Sequence, residues 1–283
     1  MTLTFGSLFS GIGGLDLGLE RAGMRCVWQS EIDPYCCKVL AKHWPDIPNI
    51  GDINDVDWRN VATVDVICGG YPCQPFSVAG ARNGTNDPKH LWPKFADAIR
   101  ILRPRYALLE NVTGHLNLGF SDVLADLASC GYDAQWDCIP AATVGAPHLR
   151  DRVFVIATRQ TLGMDTGSDS KPNVTVNAKS ESSVQNRAEQ SRIVADTVNT
   201  GLHDTVCAGR YAFRNGRQND GAWQHWQTEP DVGRMAHGIP NRMDRLRALG
   251  NAVVPQVAEH VAHVLIHRHQ QLVASANDPC DLT

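Results

Sequence analysis

The chain has 283 residues, 43% of them apolar, and a net charge of −4. That length suits one large domain with a smaller one, and the composition allows a sizeable core. No apolar run is long enough to cross a bilayer, and Met1-Thr2-Leu3-Thr4-Phe5-Gly6 lacks the basic start and apolar stretch of a secretory signal, so a cytoplasmic protein is expected.

Residues 3–9 read as a short apolar strand that ends in Ser10-Gly11-Ile12-Gly13-Gly14 and runs into an amphipathic helix reaching Ala22. Residues 26–31 form a second strand. Asp33-Pro34 then opens a helix, with Asp33 as its cap and Pro34 in the first turn. Further strands are expected at 64–68, 106–110, 135–139 and 153–158. Helices are expected at 91–102, closed by Pro104, and at 120–129, with Gly131 just past the end. Strands alternating with helices predict an α/β fold with a doubly wound, mostly parallel sheet. Residues 161–201 are rich in Ser, Asn, Thr and Gly and read as loop, whereas 207–226 is aromatic and basic. One long helix is expected over 253–272, begun by Gly250-Asn251-Ala252. Its histidines, His260, His263, His267 and His269, read as surface residues rather than metal ligands. The expected division is a catalytic domain at 1–159, a second domain at 160–245, a returning helix at 246–272 and a tail at 273–283.

Residues 1–158 carry a net charge of −4, residues 159–250 carry +2 and the remainder −2. A nucleic acid would therefore have to be met by local clusters. The nine cysteines form no Cys-x-x-Cys pair, which points to reduced thiols and to no zinc site.

A strand ending in Gly-x-Gly-Gly before a helix lets a ligand approach the backbone closely. Glu31, about twenty residues on, suits ribose hydroxyls. Gly51-Asp52-Ile53 offers a carboxylate for an adenine amino group beside an apolar wall, and Phe9 a second apolar surface. Asp16 and Leu17 stand where a third glycine of a dinucleotide fingerprint would fall, which disfavours NAD and favours S-adenosylmethionine. The expected cofactor wall comprises Phe9, Ser10, Gly11, Ile12, Gly13, Gly14, Glu31, Ile32, Asp52 and Ile53, with Gly70 and Pro72 beside it.

Cys73 follows a strand, in Gly69-Gly70-Tyr71-Pro72-Cys73-Gln74-Pro75-Phe76-Ser77, and precedes a small-residue segment that suits a closing loop. Pro72 stiffens the approach, and Gln74 and Ser77 add polar groups. On these features alone a buried structural thiol and a nucleophile are equally good readings.

The ordered set Ser7-Leu8-Phe9-Ser10-Gly11-Ile12-Gly13-Gly14, Pro72-Cys73-Gln74, Glu110-Asn111-Val112, Arg150-Asp151-Arg152 and Gly250-Asn251-Ala252-Val253-Val254-Pro255 resembles the motifs of DNA cytosine-5 methyltransferases, bacterial or phage type. The resemblance implies a Rossmann-like S-adenosylmethionine-dependent methyltransferase fold with a smaller, irregular target-recognition domain. It implies Cys73 as the thiolate that adds to carbon 6 of cytosine, with Glu110 pairing with the base and Arg152, Arg150, Ser77 and Gln74 completing the catalytic set. Asn251, Ala252 and Val253 would return to touch the cofactor. The target base would leave the duplex, with Arg82, Asn83 and Lys89 on the closing loop near the phosphates. Arg210, Arg214 and Arg217 would read or grip DNA from the middle segment, together with Tyr211, Trp223, His225 and Trp226. Arg242, with Arg234, Arg245 and Arg247, would do so at the return. Double-stranded DNA is the implied partner of a monomeric chain, with a cognate restriction endonuclease as a companion. His148 departs from the pattern, which usually has Gln there.

The alternative within the same scaffold is cytosine methylation of transfer RNA. Thr113-Gly114-His115 departs from the Cys-Phe-Thr extension of those relatives. A non-catalytic DNA-binding protein is disfavoured by intact Cys73, Glu110 and Arg152, and a nicotinamide oxidoreductase by the glycine spacing.

Overall fold

A computed structural model describes residues 2–72, 91–117, 119–160 and 241–276. Among them six strands form one sheet: β1 (Thr4–Leu8), β2 (Arg25–Ser30), β3 (Val66–Gly69), β4 (Tyr106–Val112), β5 (Tyr132–Ile139) and β6 (Arg152–Arg159), in the order β2-β1-β3-β4-β6-β5. The helices are α1 (Gly14–Arg21), α2 (Pro34–His43), α3 (Trp92–Leu102), α4 (Phe120–Ser129), α5 (Arg242–Asn251) and α6 (Pro255–Ala276).

Side chains alternate across each central strand. Phe5, Val66, Cys68, Tyr106, Leu108, Phe154 and Ile156 face a core shared with α1 and α6. Leu8, Ile67, Ala107, Leu109, Val153 and Val155 face a second core with Trp92, Phe95 and Ile99 of α3 and Val123 and Leu127 of α4. Burial on both faces explains why these strands read as near-continuous apolar runs. The architecture is the expected doubly wound, Rossmann-like α/β fold.

One strand runs against the rest. β6 pairs antiparallel with both β4 and β5, so five strands share a direction and β6 opposes them. β5 and β6 are joined by residues 140–151, which hold one short 3-10 turn (Ala141–Val144) and no crossover helix of the kind that usually links parallel strands. The helix expected to open at Gly250 is instead two. Gly250 and Asn251 end α5, Ala252 is extended (φ −66°, ψ 143°), and α6 starts at Pro255. Proline suits the first turn of a helix and disfavours helix in the residue before it. Nor are all the histidines of α6 on the surface. His263 and His267 are exposed, but His260 and His269 are half-buried, and His269 Nδ1 lies 3.2 Å from both Tyr106 Oη and Arg105 Nη1. The expected second domain falls almost wholly in 161–240, outside the described residues.

Candidate active site

Connections leave β1 and β3 toward opposite faces of the sheet. The carboxyl ends of β1, β3 and β4 border a cleft of about 400 Å³ there. Open α/β sheets bind ligands at such a switch point.

One end of the cleft is made of turns braced by hydrogen bonds. Gly11 N donates to Glu31 Oε2 at 2.7 Å, and the amides of Ile32 and Asp33 donate to Glu31 Oε1, both at 2.8 Å. A carboxylate can accept about four bonds, so Oε2 retains a lone pair for a hydroxyl. Asp52 uses Oδ1 to accept from Asn54 N and Nδ2, both at 2.9 Å, and no described residue bonds its Oδ2. Ile53 is buried behind it, while Ile32 is 64% exposed. Phe9 has a left-handed backbone (φ 54°), rare for a large side chain, and its ring centroid lies 6.2 Å from that of Phe95.

At the other end a buried ion pair faces the cleft. Glu110, on β4, lies with Oε1 3.0 Å from Arg152 Nε on β6. Burial pushes the Glu110 carboxyl up to about 7 against the opposing pull of Arg152 and Arg150. The acid therefore sits poised between its two protonation states near neutrality. A β-carbon on Gly70 would fall 2.5 Å from Glu110 Oε2, so glycine here leaves the carboxylate room in its present position. Beyond Gly70 the chain is pinned. Asn111 Nδ2 donates to Tyr71 O at 3.2 Å, and Tyr71 Oη meets His115 Nε2 at 2.7 Å. Pro72, on the cleft wall, follows directly.

The returning segment closes the cleft. Gly250, Asn251, Ala252 and Val253 line it. A β-carbon on Gly14 would lie 2.4 Å from Val253 O, and one on Gly18 2.4 Å from Ala258 Cβ, so the glycine face of α1 lets the return pack against it. Gly14 was expected to serve the cofactor; it lines the cleft, but its missing side chain makes room for Val253. Arg150, itself left-handed (φ 40°), donates from Nη2 to Gly250 O at 2.7 Å and Ala252 O at 2.6 Å. Arg247 reaches the Asp33 cap of α2.

Of the expected cofactor wall, Phe9, Ser10, Gly11, Gly14, Glu31, Ile32, Asp52, Ile53, Gly70, Pro72, Asn251, Ala252 and Val253 line the cleft; Ile12 and Gly13 sit in the turn behind it. Glu110 and Arg152 join them, Arg150 braces the return, and Arg242 is exposed at the start of α5, away from the cleft. Cys73, Gln74, Ser77, Arg82, Asn83, Lys89, Arg210, Arg214 and Arg217 lie outside the described residues. Sequence reasoning missed Asn49, whose side chain accepts from Glu31 N and Gly51 N and donates to Glu31 O, stapling two parts of the wall. A lone Asn in a loop carries no signal for such a role.

The family model of C-5 cytosine-specific DNA methylases matches residues 3–231. The type II methyltransferase M.HgiCII of Herpetosiphon aurantiacus is 36% identical over 168 residues, which cover 56% of this chain and 38% of that protein. M.AquIA of Picosynechococcus is 33% identical over 175 residues, 54% of this chain and 71% of that one. A solved E. coli structure described as a prophage-encoded DNA modification methyltransferase is 29% identical, covering 56% of this chain and 47% of its own with a TM-score of 0.48. The matched part spans less than half the length of M.HgiCII, M.BsuFI and M.NgoFVII. The family match covers most of the sequence, including the cleft residues from Ser7 to Arg152, and on it the chain belongs to the C-5 cytosine-specific DNA methylases.

Proposed function

We propose that the chain transfers a methyl group from S-adenosylmethionine to carbon 5 of a cytosine rotated out of double-stranded DNA, through a transient bond between Cys73 Sγ and carbon 6. The observation that carries this reading is the meeting, in one cleft, of an adenosine-suited wall and a buried acid–guanidinium pair beside Pro72. The wall fits the cofactor: Glu31 retains acceptor capacity for ribose, Asp52 Oδ2 faces no described partner, and Ile32 offers an uncovered apolar surface. Phe9, Gly11 and Asn251 to Val253 would complete its enclosure. Bound there, S-adenosylmethionine supplies an electrophilic methyl group.

The chain's residues do the rest. Cytosine carbon 5 is a weak nucleophile. Addition of the Cys73 thiolate at carbon 6 makes it enamine-like. Glu110, protonated, donates to the ring nitrogen and accepts from the exocyclic amine, drawing electron density from the ring as the thiolate adds. Arg152 holds the Glu110 carboxyl in place and meets charge that develops there. Carbon 5, made nucleophilic in this way, takes the methyl group; loss of the carbon 5 proton to water then expels Cys73 and returns the ring-nitrogen proton to Glu110. Arg150 sets the position of Ala252 and so of the wall opposite Glu110. Gln74 and Ser77 would order the Cys73 turn. Arg82, Asn83, Lys89, Arg210, Arg214, Arg217 and Arg242 would meet phosphates and bases, with 160–245 as the recognition domain. The relatives are type II methyltransferases, which supports duplex DNA as substrate and a restriction endonuclease as companion activity.

The test is expression in a host without cytosine methylation, followed by bisulfite sequencing of genomic DNA and transfer RNA. Protected cytosines in one DNA sequence context are expected. Protection confined to transfer RNA would move the substrate to RNA, and none in either would overturn the assignment.

A further inference from the structure

Behind the cofactor wall lies a carboxylate that the proposed chemistry does not use. Asp16, on α1, is fully buried, and so are Ser7 and Gln29 around it. Asp16 Oδ2 accepts from Ser7 Oγ at 3.0 Å, and Oδ1 accepts from Gln29 Nε2 at 2.8 Å. Each partner is built into the cleft. Ser7 Oγ lies 3.0 Å from Ser10 Oγ, and Ser7 and Ser10 both line the wall. Gln29 is the residue on which the wall's other loop hangs: its N–H donates to Pro48 O at 2.9 Å, and Ile50 N donates to its carbonyl at 2.7 Å. Its neighbour Ser30 bonds Gly51 O at 2.7 Å. One buried carboxylate thus ties the Ser10-Gly11 turn to the strand carrying Glu31 and, through it, to Asp52.

We infer that Asp16 is a positioning residue for the cofactor wall, and that its ionised form is what holds the wall ready to bind. The inference rests on the cofactor reading given above. An ionised carboxylate only accepts, and both of its partners here donate. Once protonated, it must find an acceptor for its own hydrogen. Either Gln29 turns its amide, or the Ser7 hydroxyl reverses toward Ser10. The second changes what Ser10 presents to the cleft, and the first mispairs a buried amide on the strand that carries the wall's other loop; a mispaired buried polar group is costly.

The carboxyl titrates in an accessible range. Burial pushes it up to about 6, against the bonds from Gln29 and Ser7. Glu20, on the same helix, raises it further. Cys26 on β2 and Cys68 on β3 feel its charge, and burial with that charge keeps both thiols protonated. Cofactor affinity is therefore full only well above pH 6 and declines as pH falls through it.

The test is calorimetric titration of S-adenosylmethionine into the full chain between pH 5 and 8, for the parent, Asp16→Asn and Ser7→Ala. The asparagine carries a donor where the carboxylate has none, and so imitates the protonated state. Asp16→Asn is expected to bind roughly ten-fold more weakly at pH 7.5, the equivalent of one lost buried bond, with no acid limb near pH 6. Ser7→Ala keeps the charge but cuts the link to Ser10, and is expected to share the loss at pH 7.5 if Asp16→Asn fails to fold. Glu110→Gln is expected to keep the limb near pH 6, which assigns it to Asp16. A folded Asp16→Asn with parental affinity, or with the parental acid limb, overturns the inference. A parent that binds no S-adenosylmethionine at any pH overturns the cofactor reading beneath it.

Discussion

At the cofactor end of the cleft, polar groups are matched locally: Glu31 by three backbone amides, Asp52 by Asn54, Ser10 by Ser7. At the target end, Glu110 is taken out of water and pairs with the half-buried Arg152. The first arrangement is preorganised geometry, since its donors and acceptors are fixed before anything binds. The second is stored electrostatics, since a carboxyl at the edge of its protonation range responds strongly to a charge developing beside it. A binding wall needs shape. An acid that must lend a proton and take it back needs a raised pKa.

If the two ends are separable in this way, variants should affect one and spare the other. The largest effect is expected from Cys73→Ala. Methyl transfer should fall by about a thousand-fold or more, because covalent addition is lost. S-adenosylmethionine affinity by calorimetry should stay at the parental value. A variant that methylated at even a tenth of the parental rate would sink the covalent route.

Glu110→Gln comes next, with methyl transfer expected about a hundred-fold slower, in the range for a positioned acid. The sign of its pH dependence follows from burial. A carboxyl raised to about 7 keeps its proton below that pH, so activity that needs the proton holds below 7 and falls as pH rises through it. In Glu110→Gln the falling limb near 7 should disappear from the profile of kcat/KM. Its survival would assign that limb elsewhere.

The third variant strains the joint between both ends and the return. Gly18 lies inside α1, where glycine costs about 1 kcal/mol relative to alanine. Its β-carbon would meet Ala258 Cβ at 2.4 Å, Pro255 O at 2.5 Å and Glu259 N at 2.8 Å, all short or backbone groups. Overpacking of this kind costs about 1–3 kcal/mol, which outweighs the gain in helix propensity. Gly18→Ala should therefore lower the melting temperature by several degrees, whereas an alanine stabilised by propensity alone would raise it.

Much of this was legible in the sequence, and the exceptions have physical causes. The strands and helices were visible because burial on both sheet faces produces apolar runs, and Asp33-Pro34 marked a helix start that Asp33 Oδ1 caps by accepting from Tyr35 N and Cys36 N. The reversal of β6 was not visible, because a period of two gives register but no direction. Asp16 was hidden for a related reason: a charged residue between Leu15 and Leu19 reads as the wet face of an amphipathic helix, whereas its side chain turns to the sheet and is buried against Ser7 and Gln29. Arg150 was found as part of a motif, but its bonds go to a segment 100 residues away, and no local pattern carries that information. His269 was read as a surface residue because no acid or cysteine joins the helix's histidines into a metal site; it packs on Tyr106, with ring centroids 5.9 Å apart.

The smallest expected effect sharpens the comparison from the cofactor side. Ile32 is 64% exposed, beside a carboxylate already pinned by its own and its neighbour's amides. An exposed isoleucine contributes little to folding, and Ile32→Ser should leave the melting temperature within a degree or two. A ligand that covers it removes apolar surface from water. At about 25 cal/mol per Å², losing roughly 40 Å² of that cover costs about 1 kcal/mol, or five-fold in affinity. S-adenosylmethionine binding should therefore weaken about five-fold with no change in stability and no change in the pH profile that Glu110 imposes on turnover. Equal affinity for both chains would mean that the cofactor does not lie against this residue, and that the preorganised wall ends at Glu31.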